Sequence, residues 1–392
     1  MKRLFLLLFV VLANMNFLQA QDAYPRFSIK YGPWVQNVTE TSFTVVWCSP
    51  EESMAFVEVA PDDGSAYEAK ERTRFYDTVM GRRVCSKMHK VTVTGLEPGK
   101  RYRYRVIGRN LIDDSDPYRI VYGKENNAGS KKRMFTVKTY DYKAEKCRFS
   151  MVNDQHQRFE QYKSLMESVS GDSRDFVVLN GDIVSYTARL DTNMHYTFGP
   201  IKNLACAIPS VFVIGNHESR GHEFYRLPEA YPTPTGEFYY TFRQGPAAFI
   251  VLNAAEDKPD HSVEYSDYAR FDEYRKQQLE WLKKAVQDPL VADAPVKICL
   301  MHIPAIADPN SWYGQLWANE HFVPVLNEAG VDLMLSGHHH KFFVREKGSC
   351  GNDFPILSNS NLERLECEIT QDGKIRVQCF DIDEKKVRDL TF

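Results

Sequence analysis

Hydrophobic and polar positions follow two different patterns along the chain, and the change falls near residue 140. In residues 25–139, segments such as TSFTVVWCS (41–49) and HKVTVTGL (89–96) alternate apolar and polar residues between turn formers. This period-two alternation predicts β-strands and an all-β N-terminal domain. From residue 146 onward, near-continuous apolar runs alternate with longer amphipathic stretches. That pattern predicts an α/β core whose strands are buried on both faces.

Strands and helices of this core can be assigned from the individual runs. Six apolar runs predict strands, at residues 147–153, 175–180, 208–214, 247–253, 295–301 and 331–336. Apolar residues at helical spacing in 270–288 predict one long helix, and 318–330 predicts a second that ends at Gly330. The stretch before the second helix, ADPNSWYGQLW (307–317), is predicted to be a loop.

The first 20 residues predict a signal peptide. Lys2 and Arg3 form a positive start, residues 4–12 form an apolar run, and Ala20 offers a cleavage point. The run is shorter than the roughly 20 residues needed to cross a bilayer. We therefore expect an exported protein, periplasmic or extracellular, without a membrane span.

The composition mainly excludes some classes of function. The 392 residues suffice for two domains, and 43% of them are hydrophobic. A net charge of -3 gives no nucleic-acid-binding footprint, which would be a strongly basic face or tail. The chain has no CxxC pair, so a cysteine zinc site is not expected.

The eight cysteines do not predict a disulfide scaffold, because they are few and irregularly spaced for 392 residues. Three lie in or beside apolar runs and are expected to be buried thiols: Cys147, Cys206 and Cys299. Three lie in the polar C-terminal region, and export would permit a disulfide among them: Cys350, Cys367 and Cys379. The sequence does not say which pair would form it.

The all-β region, residues 25–139, resembles a fibronectin type III domain. GLEPGKRYRYRV (95–106) has the spacing of a tyrosine corner, in which the hydroxyl of Tyr102 would bind the preceding turn. Trp47 lies on an earlier predicted strand and is expected to fill the core of the domain.

Metal-binding residue types follow five of the apolar runs. They are, in chain order, Asn153-Asp154-Gln155-His156, Asn180-Gly181-Asp182, Gly215-Asn216-His217-Glu218, His302 and Ser336-Gly337-His338-His339-His340. Ligand sites of α/β sheets lie beyond the carboxyl ends of the strands. A single strand-end Asp or His is more often a cap, turn or core residue. Five in this order favour one shared metal site at one edge of the sheet.

This ordered set resembles the calcineurin-like metallophosphoesterases, with all five motifs inside residues 146–360. The fibronectin-like domain in front is similar to the arrangement of the purple acid phosphatases. The resemblance implies a four-layer α/β/β/α sandwich for residues 146–392, behind the all-β sandwich, and a site for two metal ions. It implies that one ion is bound by Asp154, His156 and His340, the second by Asn216, His302 and His338, and both by Asp182.

The second motif departs from that of the purple enzymes. They typically have Gly-Asp-x-x-Tyr, whose tyrosinate binds iron(III). This chain has GDIVSY, with Ser185 at that place and Tyr186 one residue later, and His156 stands where glycine is usual. We therefore expect His156 to replace the tyrosinate in a colourless enzyme. The ligand types suit two divalent or mixed-valence ions of Mn, Zn, Fe or Co without choosing among them.

The charges of such a site would attract a phosphate. Two divalent ions, two carboxylates and a bridging hydroxide leave a net charge of about +1. The resemblance implies in-line attack of that metal-bridging hydroxide on phosphorus, with His217 as the general acid for the leaving oxygen. An imidazole suits this task because it titrates near neutral pH. Glu218, a possible second-shell residue, can orient His217 or serve a structural role.

Residues that would select the substrate are less clearly marked. His195 lies between the second and third motifs and is a possible substrate-binding residue. Arg220 can bind a phosphate oxygen with two N–H groups, or it can simply be solvated. Three aromatic residues follow His302 in the predicted loop, and they can stack on a base or sugar or, as we favour, pack against the N-terminal domain: Trp312, Tyr313 and Trp317.

The sequence therefore predicts an exported dinuclear metallophosphoesterase that hydrolyses small-molecule phosphomonoesters. A phosphodiesterase or nucleotide hydrolase with the same site is the alternative. A third hypothesis, from a different class, is a non-catalytic surface-binding protein whose metals are structural. The sequence does not name the substrate, the metal pair or the oligomeric state.

Overall fold

The computed structural model describes residues 24–128 and 134–392, and the predicted signal peptide lies outside them. The chain divides into two compact units. Within the described residues, the first unit comprises the stretch up to Pro33 together with Thr44–Val93 and Arg101–Thr136. The second unit comprises Trp34–Phe43, Thr94–Lys100 and Val137–Phe392. No helix in the described parts of the chain is long and apolar enough to cross a membrane.

The first unit is built from β-strands, as the alternating pattern predicts. The strands up to residue 138 are β1 Tyr31–Gln36, β2 Phe43–Pro61, β3 Thr73–Tyr76, β4 Thr78–Val79, β5 Arg82–Arg83, β6 Cys85–Val93, β7 Arg101–Asp113, β8 Val121–Tyr122, β9 Asn126–Asn127 and β10 Phe135–Lys138. β2 and β7 pair antiparallel from Ser53↔Asn110 to Pro61↔Tyr102. β3 and β6 also pair with β2, and β8 and β9 pair with β7. Tyr67–Ala69 forms a 3₁₀ turn.

The core of the first unit contains a buried imidazole. Trp47 is fully buried, as expected for a core residue, and the His89 ring stacks on it with centroids 4.9 Å apart. His89 Nε2 lies 2.9 Å from the Ser53 hydroxyl. Burial penalises the charged imidazolium and lowers the pKa of His89 from 6.5 to about 4. His89 therefore stays neutral in the folded protein at pH values where it is protonated in the unfolded chain.

His89 is expected to make the protein sensitive to acid. Because its folded pKa is depressed, its contribution to stability is complete above pH 6.5 and is lost as the pH falls towards 4. In that window the free energy of unfolding should fall by up to about 1.4 kcal/mol per pH unit from this residue. Urea unfolding at a series of pH values should give a flatter dependence for His89→Gln than for the wild type. Equal slopes for the two proteins would contradict this assignment.

The second unit contains two six-stranded mixed sheets. Its strands are β11 Lys146–Val152, β12 Phe176–Asn180, β13 Ser210–Val213, β14 Tyr240–Gln244, β15 Ala247–Leu252, β16 Val296–Met301, β17 Leu333–Ser336, β18 Phe343–Arg345, β19 Ile356–Ser358, β20 Arg364–Thr370, β21 Ile375–Phe380 and β22 Lys386–Thr391. The first sheet has the order β13-β12-β11-β20-β21-β22, and β11, β12 and β13 are parallel. The second has the order β14-β15-β16-β17-β19-β18, with β15, β16, β17 and β19 parallel.

Helices cover these sheets. They are α1 Phe159–Met166, α2 Leu190–Phe198, α3 Lys202–Ala205, α4 Leu227–Ala230, α5 Phe271–Ala285, α6 Pro289–Ala292 and α7 Tyr313–Glu328, with 3₁₀ turns at Phe224–Arg226 and Val263–Tyr265. α7 begins at Tyr313, so the loop predicted for residues 307–317 is wrong in its second half. The side chain of Gln315 accepts a hydrogen bond from the Trp312 amide and caps this earlier helix start.

The four-layer fold follows from what each face of the sheets contacts. The inner faces meet in an aromatic cluster in which Phe149 and Phe176 of the first sheet contact Phe249 of the second at 5.5 and 5.2 Å. On the outer face of the second sheet, Leu282 of α5 and Phe322 of α7 join its core. On the first sheet, the Arg364 guanidinium of β20 donates to the Leu165 carbonyl of α1. The predicted α/β/β/α arrangement behind an all-β sandwich is confirmed.

All eight cysteines are free thiols, so the disulfide that export would permit among Cys350, Cys367 and Cys379 is not formed. Cys367 and Cys379 are buried on β20 and β21, where their side chains fill the core. The three cysteines expected to be buried are buried: Cys147, Cys206 and Cys299.

Candidate metal centre

The predicted ligands converge from the carboxyl ends of strands in two sheets. In the first sheet, β11, β12 and β13 lead into Asp154, Asp182 and Asn216. In the second sheet, β16 and β17 lead into His302 and His338. The expectation of a single sheet edge is therefore corrected, since both sheets contribute to one site.

Several of these strand ends have an unusual backbone. Five of the seven predicted ligands have left-handed φ angles: Asp154 52°, His156 44°, Asp182 53°, His338 71° and His340 57°. Residues other than glycine rarely adopt this conformation, and where they do the surrounding fold enforces it. The site geometry is therefore imposed by the packing of the strands, which side-chain patterning in the sequence does not reveal.

Asp154, His156 and His340 form the first cluster, with ligand atoms within 4.8 Å of one another. Nε2 of His340 lies 3.3 Å from Asp154 Oδ1 and 3.0 Å from His156 Nε2. Asp154 is fully buried, whereas the His340 side chain is 48% exposed. Burial lowers the pKa of His156 to about 4 and so keeps its ring neutral, the form that binds metals.

Asp182, His302 and His338 form a second cluster that is more deeply buried. Nε2 of His302 lies 3.1 Å from Asp182 Oδ2, and its Nδ1 donates to the Asn180 carbonyl oxygen at 2.7 Å. The bond to Asn180 leaves Nε2 as the nitrogen that faces the carboxylates. Burial alone would lower the pKa of His302, but Asp182 and Asp154 outweigh it and raise the pKa to about 10.

Asp182 joins the two clusters. A third group of ligand atoms comprises His156, Asp182 and His217, and both imidazole Nε2 atoms lie 3.9 Å from Asp182 Oδ2. Burial would raise the pKa of Asp182, but His302 and then His217 outweigh it and hold the pKa well below its usual range. The carboxylate is therefore ionised and lies between the groups of both clusters, as a bridging ligand would.

Unpaired buried atoms provide a test of whether the site fits metal ions. Among the predicted ligands, three atoms that could bind an ion are buried and have no hydrogen-bond partner: Asp154 Oδ1, Asn216 Oδ1 and His302 Nε2. Buried polar atoms are nearly always paired, because an unpaired one costs about 1–3 kcal/mol. A set of carboxylate, amide and imidazole atoms in this state fits two bound transition-metal ions.

The motif glycines leave no room for a side chain. A Cβ on Gly181 would lie 2.5 Å from the His302 ring, and one on Gly337 would lie 2.7 Å from Asp154 Oδ2. A Cβ on Gly215 would lie 2.2 Å from Asp182 Oδ1 and 2.4 Å from its backbone nitrogen. These glycines allow three loops to pack closely around the predicted ligands.

Gly215→Ala is expected to damage the site more than the fold. The added methyl group would displace the Asp182 carboxylate by about 1 Å, a shift that costs about 100-fold in kcat/KM when the group acts in catalysis. Overpacking should lower the free energy of unfolding by about 1–3 kcal/mol. Gly171→Ala is the matched control, because its nearest atom would be 3.7 Å from the new Cβ. Similar kcat/KM values for the two variants would contradict the expectation.

Glu218 fastens two of the loops. Its Oε2 accepts from the amides of Asp182 and Gly215 at 2.8 and 2.9 Å, and its Oε1 accepts from Ile183 at 2.8 Å and Val184 at 3.3 Å. Burial and the neighbouring Asp182 raise the pKa of Glu218 to about 7. These bonds favour the structural interpretation of Glu218 over the orientation of His217.

His217 is oriented by other groups. Its Nδ1 donates to the Ser185 carbonyl oxygen at 2.8 Å, so Nε2 is the nitrogen that can exchange a proton with a ligand. Arg220 Nη1 lies 3.1 Å from this Nε2. The Arg220 guanidinium also donates from Nε and Nη2 to Glu256 at 2.6 and 2.8 Å. Arg220 is thus held beside His217 by an ion pair that the sequence did not reveal.

The remaining predicted residues lie further from the clusters or on their rim. His195 is exposed on α2, stacks on Phe159 at 5.4 Å, and is in none of the three clusters found among the described residues. Nε2 of His339 lies 2.7 Å from Gln315 Nε2. Trp312 is 49% exposed, and its ring lies 4.9 Å from that of His338.

Two family models match the chain. Residues 147–342 match the calcineurin-like phosphoesterase model, which is half of the chain and includes every predicted ligand. The chain belongs to the calcineurin-like phosphoesterase family. Residues 33–139 match the N-terminal domain of purple acid phosphatases. The predicted family is confirmed.

Three proteins similar to this chain support the family assignment. Purple acid phosphatase 15 of Arabidopsis thaliana is 24% identical over 333 residues, which cover 73% of this chain and 56% of that protein. Purple acid phosphatase 18 of the same plant is 23% identical, over 84% of this chain and 72% of that protein. Serine/threonine-protein phosphatase CPPED1 of Danio rerio is 25% identical, over 47% of this chain and 59% of that protein. The match thus spans little more than half of the first of these relatives.

In the structure of this phosphoesterase, as in its sequence, no tyrosine occupies the place of the tyrosinate ligand of the purple enzymes. Tyr186 is 53% exposed, and Ser185 contributes its carbonyl oxygen to His217. His156 occupies the cluster instead. Two further carboxylates, Glu256 and Asp257, follow β15 and contact Arg220 and His338, and neither was predicted from the sequence. Their place four and five residues beyond the end of an apolar strand marks them as candidates for the site, but the sequence does not indicate their partners.

Proposed function

We propose that this phosphoesterase hydrolyses phosphomonoesters at a dinuclear metal site. The observation that carries the proposal is the set of three overlapping clusters joined by Asp182, with buried ligand atoms that lack hydrogen bonds. We assign Asp154, His156 and His340 to one ion, Asn216, His302 and His338 to the second, and Asp182 to both.

The ions would supply Lewis acidity for the phosphoryl oxygens and a water molecule of lowered pKa as the nucleophile. The chain holds the ligands in place through the strand ends and the Glu218 bonds, so little reorganisation is needed when substrate binds. His302 must lose its proton before Nε2 can bind a metal ion, so metal affinity should increase with pH.

His217 is the proposed acid for the leaving group. Its Nδ1 is fixed by the Ser185 carbonyl, so Nε2 is the atom from which a proton would pass to the leaving oxygen. Once that proton is given up, Nε2 can accept from Arg220 Nη1 at 3.1 Å. Arg220 has about five N–H donors and donates two of them to Glu256, so N–H groups remain to bind a phosphate oxygen. His195 remains a possible substrate-binding residue on the α2 surface.

The deciding experiment compares an aryl phosphomonoester with the matching diester, using mature protein loaded with manganese or zinc. A monoester preference of about tenfold or more corresponds to about 1.4 kcal/mol in transition-state binding and would support the proposal. A diester preference would support the alternative function. Loss of turnover of both substrates in a protein that binds two ions would support the hypothesis of structural metals.

Of the two alternatives, phosphodiesterase and nucleotide hydrolase, one observation favours the nucleotide hydrolase as the second candidate. Trp312 presents a half-exposed ring at the edge of the second cluster, 4.9 Å from the His338 ring. Such a ring can stack on a base while the phosphate lies at the ions. Tyr313 and Trp317 are less available for stacking on a base. The Tyr313 hydroxyl donates to Asp272, and Trp317 is buried in the core of the second unit.

Trp312→Ala is therefore expected to discriminate between substrates. If Trp312 stacks on a base, kcat/KM for a nucleotide should fall about tenfold, because one stacked base is worth about 1–3 kcal/mol. Hydrolysis of a small alkyl phosphate should stay unchanged, and Trp312→Phe should retain most of the nucleotide activity. An equal loss of kcat/KM with both substrates would instead indicate that Trp312 holds the His338 ring in place.

Export is part of the proposal. It depends on residues 1–20, whose charged start and apolar run predict a signal peptide. The mass of the mature protein purified from its native source should correspond to a chain that begins near residue 21. A chain that retains Met1 would contradict this.

A further inference from the structure

The loop that follows β15 brings a third buried aspartate to the metal centre, beside Asp154 and Asp182. Asp257 is only 6% exposed, and its Oδ1 lies 3.2 Å from His338 Nε2. Both atoms are buried, and neither makes a hydrogen bond in this structure. Their 3.2 Å separation is close to hydrogen-bond length, so a small adjustment of the His338 ring would pair them.

The position of this carboxylate identifies the nitrogen of His338 that would bind metal. A histidine that ligates a metal usually donates its other ring N–H to a carboxylate or carbonyl, which fixes the tautomer and the ring orientation. His302 shows this arrangement, since its Nδ1 donates to the Asn180 carbonyl. By the same logic, a proton on His338 Nε2 would satisfy Asp257, and Nδ1 would be left for the ion.

We propose that Asp257 is a positioning residue that holds His338 in the tautomer with Nε2 protonated and thereby builds the second metal site. The inference rests on the dinuclear site proposed above. It adds a carboxylate, histidine and metal arrangement that is made by a loop outside the five motifs. Asp257 acts through His338 and is not itself a ligand.

The loop is fixed from two sides, which such a role requires. Arg275 of α5 is fully buried, and its guanidinium donates to the carbonyl oxygens of Ala254, at 2.8 Å, and Glu256. The Gly314 amide of α7 donates to the Asp257 carbonyl oxygen at 2.9 Å.

Gly314 also explains how α7 approaches the loop so closely. A Cβ at this position would lie 2.3 Å from the Glu256 carbonyl oxygen, so any larger residue would push the helix and the loop apart. The Trp312 ring contacts His338 from the same segment. The backbone on either side of Asp257 is therefore held by α5 and α7, independently of any bound ion.

A competing interpretation makes Asp257 a direct ligand. Its 3.2 Å separation from a His338 nitrogen is close to the 3.1 Å between His302 Nε2 and Asp182 Oδ2. The two roles differ in what an amide can replace. An asparagine at 257 keeps the Oδ1 acceptor for His338 Nε2–H but loses the charge that a ligating carboxylate contributes.

The test is isothermal titration of the full-length, metal-free protein with Mn²⁺, together with metal analysis and thermal unfolding. We expect the wild type to bind two ions. Asp257→Ala should retain one site and weaken the other by about 10–100-fold, the usual effect of removing a partner of a ligating histidine. Asp257→Asn should stay within about threefold of the wild type at both sites, because the acceptor is kept. Asp308→Ala is the matched control, since it removes a carboxylate that pairs with Arg345 instead.

Each result has a distinct meaning. Two unchanged sites in Asp257→Ala would overturn the inference and leave the proposed function intact. Equal weakening in Asp257→Ala and Asp257→Asn would overturn it in favour of a direct ligand. A wild type without a second site would overturn both the inference and the proposed dinuclear site. Weakening only in Asp257→Ala, with a normal unfolding temperature, would support it.

Discussion

Asp182→Asn is expected to lower kcat by about three orders of magnitude or more, which is a loss of about 4 kcal/mol in transition-state stabilisation. Oδ2 of Asp182 lies 3.1 Å from His302 Nε2 and 3.9 Å from His156 Nε2, so one carboxylate serves both clusters. Its Oδ1 accepts from the His217 amide at 2.9 Å. An amide of the same shape can keep that last bond but cannot supply the negative charge that two cations need.

The fold of the Asp182→Asn protein should survive, because the substitution preserves side-chain volume. Turnover of an aryl phosphate and bound metal per chain should both fall, and the metal-free protein should stay folded but unfold at a lower temperature, because His302 loses a buried charge partner. Asp332→Asn makes the same substitution at the opposite end of a strand, where the carboxylate accepts from the Lys297 amide. Full activity in Asp182→Asn would contradict the assignment of this residue to both ions.

His217→Asn should show the second largest effect, and the effect should depend on the leaving group. A general acid contributes about 10²–10⁴-fold to rate. An alkyl phosphate has a strongly basic leaving oxygen and needs the proton, so its kcat should fall by this factor. An aryl phosphate with an acidic phenol needs little help and should lose much less. The comparison of the two kcat ratios is the measurement.

His222→Asn is a suitable control for His217→Asn, because His222 is an exposed imidazole on the same loop. Its activity with both phosphates should match that of the wild type. If His217→Asn lowers both substrates by the same factor, His217 supports the metal site, as its place in the cluster with His156 and Asp182 would also permit. That result would remove His217 from the role of acid while leaving the metal assignments unaffected.

Much of the fold could be predicted from the sequence because its strands are buried on both faces. Apolar runs such as 147–153 and 247–253 correspond to β11 and β15 within one or two residues. The short and half-exposed strands of the second sheet, such as β18 at Phe343–Arg345, have no comparable run. The start of α7 was missed because capping by Gln315 depends on a local bond that composition does not show.

The sequence by itself determined which residues could bind metals and in what order they occur. Parallel strands deliver their carboxyl ends to the same side, so a ligand after each strand is informative without coordinates. The tertiary structure decided how the ligands meet. The close packing of Gly181 on His302 and of Gly337 on Asp154 joins loops of the two sheets, which is how ligands of both sheets reach one site.

Only the tertiary structure brought Asp257 to His338 and Glu256 to Arg220. These pairs join residues far apart in the chain, and no periodic pattern records which loop will fold onto another. A ligand that follows its strand directly is placed by the strand itself. A residue on a longer loop is placed by the helices that hold the loop, and those contacts form only when the whole unit packs.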